Sequence, residues 1–208
     1  MKSFERCKRI LKFQAHRVKV YEDILKKPDG EIVRYDYVEN RNGAGILLID
    51  SDGKLIFVKQ YRNTLDDYDI EIPAGCMEET DIKSVDDFNP CIIYANGKKL
   101  ESTNKKDVNS FARCAVRESI EETGLQPGKL IYINYMIAAV GLFSERTAIF
   151  IGEDIEIKKR NPDPDEYIDL VFLTLKDAVD KVYSGEICDS KTIIAILAYN
   201  DLKKKSEY

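Results

Sequence analysis

Three glutamates near position 120 have a spacing that could hold a cation. Glu118, Glu121 and Glu122 are separated by three and four residues, which places them on one side of an α-helix. Like charges so placed destabilise an isolated helix, and the helix dipole disfavours them near its C-terminal end. Bound cations would offset both costs, since carboxylate oxygens suit hard ions such as Mg²⁺ or Mn²⁺. For the helix taken alone, a solvated glutamate-rich surface is the alternative.

The composition excludes several other chemistries. The chain has 208 residues, with 37 Asp and Glu, 32 Lys and Arg, and one histidine. A His-rich zinc site is therefore impossible, and a Ser-His-Asp or Cys-His triad could use only His16. The net charge of −5 argues against a dedicated nucleic-acid binder, which needs a basic surface. Any metal chemistry must then use carboxylates.

Helices and strands alternate in the pattern of a layered α/β fold. The glutamates lie on a helix predicted over 110–123, with Gly124 as its C-terminal cap. Two later helices are predicted, one capped by Thr174 and the other by Asp189 or Ser190. The predicted strands are 46–49, 54–60, 68–75, 131–139, 147–151 and 168–173. This order predicts an α/β (α+β) sandwich with a mixed sheet between helices.

Two further segments complete the predicted organisation. Residues 1–40 read as a basic leader followed by a β-hairpin, which predicts a small N-terminal antiparallel β-subdomain. The main domain would then occupy 41–208, with an irregular insertion at about 81–109. Within that insertion, Asn96-Gly97 between β-prone residues predicts a second hairpin.

The cysteines and hydropathy indicate a compartment. The five cysteines are scattered without a C-x-x-C pair, which is typical of reduced thiols rather than a disulfide framework. The basic start is not followed by the apolar segment of a secretory signal. The apolar run at 193–199 is too short to span a bilayer. We expect a cytoplasmic protein without a membrane partner.

The sequence around the glutamates resembles the Nudix box, G-x5-E-x7-R-E-U-x-E-E-x-G-U, in which U is a bulky aliphatic residue. R-E-S-I-E-E-T-G-L at 117–125 matches its second half, except that Ser119 replaces an aliphatic residue. E-I-P-A-G at 71–75 and Q-Y-R at 60–62 resemble the branch that hydrolyses ADP-ribose and nucleoside diphosphate sugars. G-E at 185–186 and K-T at 191–192 also resemble the end of that branch. The resemblance implies the Nudix α/β/α sandwich.

The box is split in this chain. Counting forward from Gly75 puts Asp81 at the first acidic position of the pattern, whereas counting back from Arg117 puts Asn109 there. The sequence leaves this choice open. The insertion at 81–109 would cover the substrate pocket, pad a subunit interface, or be a tolerated surface elaboration.

The resemblance implies a metal site. Glu118 and Glu122 would be the main Mg²⁺ ligands, joined by Glu121 and the backbone carbonyl of Ala74. Arg117 would pair with a glutamate and orient it. Bound metal would polarise a pyrophosphate oxygen and lower the pKa of an attacking water, which explains why such a site needs carboxylates and no histidine.

Substrate contacts and a catalytic base follow from the same resemblance. Arg62 would contact a phosphate or the terminal sugar, and Glu71 would reach the base or ribose or simply bridge to Arg62. Glu122 joins the catalytic set together with a base from one of two loops. Glu166 precedes the strand at 168–173, and Glu145 lies in G-L-F-S-E-R at 141–146. We place Glu166 first and Glu145 second, while each could also be an ordinary charged loop residue.

The implied function is Mg²⁺-dependent hydrolysis of the pyrophosphate bond of ADP-ribose or a related nucleoside diphosphate sugar. The products would be a nucleoside monophosphate and a sugar phosphate. The resemblance also implies a homodimer formed through the N-terminal subdomain. UDP-glucose, GDP-mannose or a dinucleoside polyphosphate is the alternative substrate, and a non-catalytic sensor of ADP-ribose-like ligands is the alternative class.

Overall fold

The computed structural model describes residues 3–16, 18–83, 91–94, 105–162 and 167–206. The chain divides into two compact units. The first contains Met1–Asn42 together with Ile137–Arg146, and the second contains Gly43–Met136 together with Thr147–Tyr208. The segment 137–146, which carries Glu145, is therefore part of the N-terminal unit.

The first unit is built on a three-stranded antiparallel sheet. Its strands are β1 (Glu5–Gln14), β2 (Lys19–Lys26) and β3 (Ile32–Glu39), paired in that order. The predicted hairpin corresponds to β2 and β3, but the basic leader is itself a strand. Two of its basic residues, Arg6 and Arg9, pair with the buried carboxylate of Asp23, to which Arg9 donates two 2.6 Å hydrogen bonds. The predicted antiparallel subdomain is confirmed, and the leader, which was expected to precede the hairpin, forms the third strand of its sheet.

The second unit contains a mixed sheet with strand order β11-β5-β4-β10-β9-β8, in which β6 also pairs with β5 and β7 with β4. The pairs β4–β10 and β8–β9 are parallel, and the others are antiparallel. Its strands are β4 (Gly43–Ile49), β5 (Leu55–Arg62), β6 (Asp67–Glu71), β7 (Ala74–Cys76), β8 (Cys91–Tyr94), β9 (Leu125–Met136), β10 (Thr147–Ile157) and β11 (Ile168–Leu173).

Helices cover both faces of this sheet. They are α1 (Glu79–Lys83), α2 (Lys105–Thr123), α3 (Leu175–Ser184) and α4 (Ser190–Ser206). Alternate residues of β4 divide between two cores: Ile46 and Leu48 pack with side chains of α2, whereas Leu47 and Ile49 pack with side chains of α3 and α4. All seven residues of β4 are buried, as expected for a strand covered on both faces. The predicted α/β/α sandwich is confirmed.

Local signals placed several helix ends well, although α2 begins at Lys105 and not at the predicted Ser110. Gly124 takes the left-handed conformation expected after a helix, with φ of 74°. The Thr174 side chain accepts a hydrogen bond from the Asp177 amide at the start of α3. Asp189, rather than Ser190, caps α4, because its carboxylate accepts a 2.9 Å hydrogen bond from the Thr192 amide.

The insertion contributes an edge strand to the main sheet. Its β8 pairs in parallel with β9, from Cys91 opposite Lys129 to Tyr94 opposite Tyr132. The remainder of the hairpin predicted around Asn96-Gly97 lies outside the described residues.

Candidate active site

The C-terminal half of α2 packs against the E-I-P-A-G segment, which contains the end of β6, the connection that follows it and the first residues of β7. A side chain on Gly75 would have no room there: its Cβ would lie 2.0 Å from Oε1 of Glu118 and 2.2 Å from Cδ. Ordinary van der Waals contacts begin at about 3.4 Å. The Glu118 carboxylate is therefore packed directly on the backbone of the E-I-P-A-G loop, and only glycine permits this approach.

One turn further along α2, Glu122 contacts the same loop. Its Oε2 accepts a 3.2 Å hydrogen bond from the Ala74 amide, and the residue is only 3% exposed. Glu121 is more open, with a side chain 37% exposed. The helix thus brings Glu118 and Glu122 against residues 74 and 75.

Arg117 is held by partners on several sides. It donates to Glu121 at 2.8 Å and to the Cys76 carbonyl at 2.9 Å, and it lies 2.9 Å from Glu118. Its Nη2 is also 3.1 Å from the Asp81 carboxylate. Burial alone would lower the pKa of Arg117, but the hydrogen bond to Asp81 and the charge of Glu118 outweigh it and keep the pKa above its usual value. Arg117 therefore stays charged and holds the carboxylates in place.

Asp81 resolves the split box. This residue is 3% exposed, and its carboxylate accepts from both Arg117 and the Glu78 amide. Of the two candidates, Asp81 and Asn109, it is therefore Asp81 that takes the first acidic position of the box pattern. Asp81 stands at the N-terminal boundary of the insertion expected at about 81–109, so the contact with Arg117 is made at that boundary.

The departure at Ser119 also has a physical reason. Ser119 is fully buried, where an aliphatic residue would normally pack, and its hydroxyl donates a 2.5 Å hydrogen bond to the Leu125 carbonyl. The Thr123 hydroxyl donates in turn to the Ser119 carbonyl at 2.5 Å. A buried hydroxyl is tolerated here because it is satisfied where α2 passes into β9.

Arg62 and Glu71 lie together next to the loop. Arg62 on β5 donates to Glu71 on β6 through Nε and, at 2.9 Å, through Nη2. Burial raises the pKa of Glu71, but the hydrogen bond from Arg62 and the charge of Lys191 outweigh it, so the pKa is lower than usual. The bridge anticipated between Glu71 and Arg62 is thus present. Arg62 remains partly open, with a side chain 38% exposed.

Sequence reasoning assigned no role to Lys191. Its Nζ lies 2.5 Å from Oε2 of Glu71, although the two residues are 120 positions apart. The resemblance of K-T at 191–192 to the branch was the available signal. Nothing in the local sequence indicates what the lysine contacts.

Of the two candidates for the catalytic base, the structure describes only Glu145. Glu145 lies in the first unit, where its carboxylate accepts a hydrogen bond from the Asn40 side chain. The loop is attached to β3 by two backbone hydrogen bonds, from Val38 to Leu142 at 2.9 Å and from Ser144 to Val38 at 3.1 Å. Glu166 lies outside the described residues.

The donor set suits a hard divalent cation. The carboxylates of Glu118 and Glu122 lie next to the backbone of residues 74 and 75. A side chain on Gly75 would fill the space that the Glu118 carboxylate occupies. Their oxygens, with those of the loop backbone, are the donors such cations prefer. Glu118 and Glu121 contact Arg117, while Glu122 accepts from Ala74. Among the described residues, no group of three or more His, Cys, Asp or Glu side chains is arranged as a metal site.

The fold and this site define a class. The sequence profile of the NUDIX domain matches residues 39–193, and the chain belongs to this family, whose members generally use divalent cations. The predicted family is confirmed.

Several individual proteins are similar to this chain over most of its length. ADP-ribose pyrophosphatase of Bacillus subtilis (strain 168) is 32% identical over 98% of this chain and 97% of that protein. Methanol dehydrogenase activator of Bacillus methanolicus is 27% identical over 88% of this chain and 85% of its own. GDP-mannose pyrophosphatase of Cronobacter sakazakii (strain ATCC BAA-894) is 25% identical over 83% of this chain and 81% of that protein.

A solved structure supports the fold. The crystal structure of an ADP compounds hydrolase aligns with a TM-score of 0.75 over 99% of this chain and 97% of that one, at 17% identity. Separately, none of the helices in the described part of the chain is long and apolar enough to cross a membrane.

Proposed function

We propose that the protein hydrolyses the pyrophosphate bond of ADP-ribose or a related nucleoside diphosphate sugar in the presence of Mg²⁺. The products are a nucleoside monophosphate and a sugar phosphate. The observation that carries this proposal is the placement of Glu118 and Glu122 against the E-I-P-A-G loop. It is supported by the 32% identity with an ADP-ribose pyrophosphatase over nearly the whole chain.

The metal would be held by Glu118, Glu122 and Glu121, with the backbone carbonyl of Ala74. When bound, it supplies a polarised phosphate oxygen and a water of lowered pKa. The protein itself supplies orientation. Arg117 fixes the glutamate carboxylates, and a residue in this position is expected to affect metal affinity by about 10- to 100-fold when removed.

Arg62 and Glu71 would bind the substrate. The bonds to Glu71 use Nε and Nη2 of Arg62, so the guanidinium edge that carries Nη1 is not engaged by Glu71. A planar guanidinium presented in this way suits a phosphate oxygen. Glu71 is 3% exposed, which makes its support of Arg62 its main expected role.

For the base, we keep the order Glu166 and then Glu145. Replacing each by glutamine removes the proton acceptor while preserving size. The variant of the true base should lose about 100- to 10,000-fold in kcat, whereas the other should stay near wild type. Equal and small losses in both would show that neither carboxylate is the base.

The decisive experiment measures turnover. The protein is incubated with Mg²⁺ and a panel containing ADP-ribose, GDP-mannose, UDP-glucose and a dinucleoside polyphosphate, and the products are identified by mass spectrometry. Glu122→Gln should abolish most activity. Glu156→Gln is the matched control, because Glu156 is exposed on β10 and contacts Lys158. Undiminished hydrolysis by Glu122→Gln would refute the metal site, and binding without turnover would favour a sensor.

GDP-mannose is the second candidate substrate. The observation in its favour is the 25% identity with GDP-mannose pyrophosphatases over 83% of the chain. In the panel, a kcat/KM for GDP-mannose at least tenfold above that for ADP-ribose would establish it in place of ADP-ribose.

We further propose a cytoplasmic homodimer. Residues 1–40 would form the dimerisation subdomain and 41–208 the hydrolase domain, with the insertion at about 81–109. The N-terminal sheet supports this proposal, because Leu11, Phe13 and Ile32 are 48%, 60% and 57% exposed within one chain. Four cysteines are free in the described residues, consistent with a reducing compartment.

A further inference from the structure

A row of alternating charges extends from the start of α4 to Arg62. Lys191 lies 3.0 Å from Asp189 and 2.5 Å from Glu71, and Glu71 accepts from Arg62. The order along the row is therefore negative, positive, negative, positive. Glu71, in the middle of the row, is almost fully buried, with a side chain 4% exposed. Arg62, at the end of the row, has a side chain 38% exposed. The open end of the row is thus a cation beside the loop of the active site.

The closed end of the row is anchored. Asp189 accepts from the Thr192 amide at 2.9 Å and from the Thr192 hydroxyl at 2.6 Å. A carboxylate at the N-terminus of a helix is stabilised by the unpaired amides and the helix dipole. The fully buried Thr192 hydroxyl also accepts a 2.9 Å hydrogen bond from the Ile72 amide, one residue after Glu71. The start of α4 therefore fixes both the side chain of Glu71 and the backbone beside it.

Glu71 needs more than one cation. A buried carboxylate loses its hydration and must be stabilised by nearby cations. If Arg62 were the single cation beside Glu71, its whole charge would be needed to stabilise that carboxylate. Burial would lower the pKa of Lys191, but Asp189 and Glu71 raise it above its usual value, so the amine stays charged. With Lys191 on one side of Glu71, Arg62 shares the carboxylate and keeps one edge for another anion.

We propose that Lys191 is a positioning residue for the substrate, which acts by sharing Glu71 with Arg62 so that the guanidinium of Arg62 can meet a phosphate. This inference rests on the proposed hydrolysis of a nucleoside diphosphate sugar. Lys191 does not touch the substrate. Its removal affects binding through the charge and orientation of Arg62, not through chemistry at the metal.

The test separates KM from kcat for ADP-ribose hydrolysis at saturating Mg²⁺. Lys191→Met should raise KM by about tenfold while kcat stays within about threefold, because ground-state and transition-state binding are weakened alike. Lys191→Arg restores the charge and should keep KM within about threefold. Lys176→Met is the matched control, since Lys176 on α3 is exposed and pairs with Asp180.

A double-mutant cycle shows whether the effect passes through Arg62. In an Arg62→Ala background, Lys191→Met should raise KM by less than about twofold. A merely structural role would instead lower the folded fraction and the apparent kcat, and would leave KM unchanged. Thermal unfolding of each variant measures the folded fraction. If Lys191→Met does not fold, Lys191→Gln, which keeps a hydrogen-bond donor for Glu71, is measured with the same expectation.

The outcomes are distinct. An unchanged KM in a folded Lys191 variant, or an equal KM increase in both backgrounds, overturns the positioning role while leaving the proposed function intact. If the wild type hydrolyses no member of the substrate panel, the proposed function fails, and this inference fails with it.

Discussion

Gly75→Ala is the sharpest test of the site geometry. Gly75 does not have a positive φ, so alanine is compatible with the backbone at this position. The new Cβ, however, would lie 2.0 Å from Oε1 of Glu118, where about 3.4 Å is needed for an ordinary contact. The carboxylate must therefore retreat by about 1.4 Å, measured as the difference between these two distances. The mutation moves a proposed metal ligand without removing it.

The expected loss is large for activity and small for stability. Misplacing a reacting group by about 1 Å costs roughly 100-fold in rate, or about 2.7 kcal/mol in activation free energy. The clashing atoms belong to the end of a side chain that can rotate, so the fold should lose little. The assay is kcat for ADP-ribose hydrolysis as a function of Mg²⁺, and the Mg²⁺ concentration for half-maximal activity should also rise.

Gly53→Ala provides the opposite control. Gly53 has φ of +77° in the turn between β4 and β5, and a Cβ there would meet nothing within 4 Å. Alanine should therefore cost about 1–2 kcal/mol of stability through backbone strain alone, and kcat should stay near wild type. If Gly75→Ala retains kcat within threefold of wild type, the close approach of Glu118 to this backbone is not required and the reasoning is wrong.

Three further predictions concern other parts of the chain. Asp81→Ala should lower activity by about 10- to 100-fold because Arg117 loses its carboxylate partner, while Asn109→Ala should have little effect; equal losses would contradict the assignment of the split box. Burial raises the pKa of Asp69 above its usual value of 3.8, so its ionised form opposes folding. Asp69→Asn should therefore raise the melting temperature at neutral pH. The gain should vanish as the pH falls below about 3.8, where Asp69 of the wild type is protonated and as neutral as the asparagine. A gain that does not depend on pH would show that the charge of Asp69 is not its cause. Phe13→Asp should convert a dimer to a monomer in light scattering after size-exclusion chromatography, since Phe13 is 60% exposed on β1, and an unchanged mass would place the interface elsewhere.

Local signals predicted much of the fold because the interactions behind them span only a few residues. The glutamate spacing on α2, the left-handed Gly124 and the Thr174 cap all depend on neighbours within one or two helical turns. The basic leader was misread for a related reason. Arg9 pairs with the buried carboxylate of Asp23 on another strand, and composition alone cannot show which carboxylate an arginine will meet.

The candidate site also combines relations between residues close in sequence with relations between distant ones. The sequence by itself determined that three carboxylates share one side of a helix, and that hard oxygen donors rather than histidine would serve any metal there. Only the tertiary structure decided that Asp81, rather than Asn109, contacts Arg117, and that Lys191 reaches Glu71 from 120 positions away. Helical periodicity fixes the first kind of relation within a single element. The second kind depends on which elements pack together, and that is set by burial of the whole core.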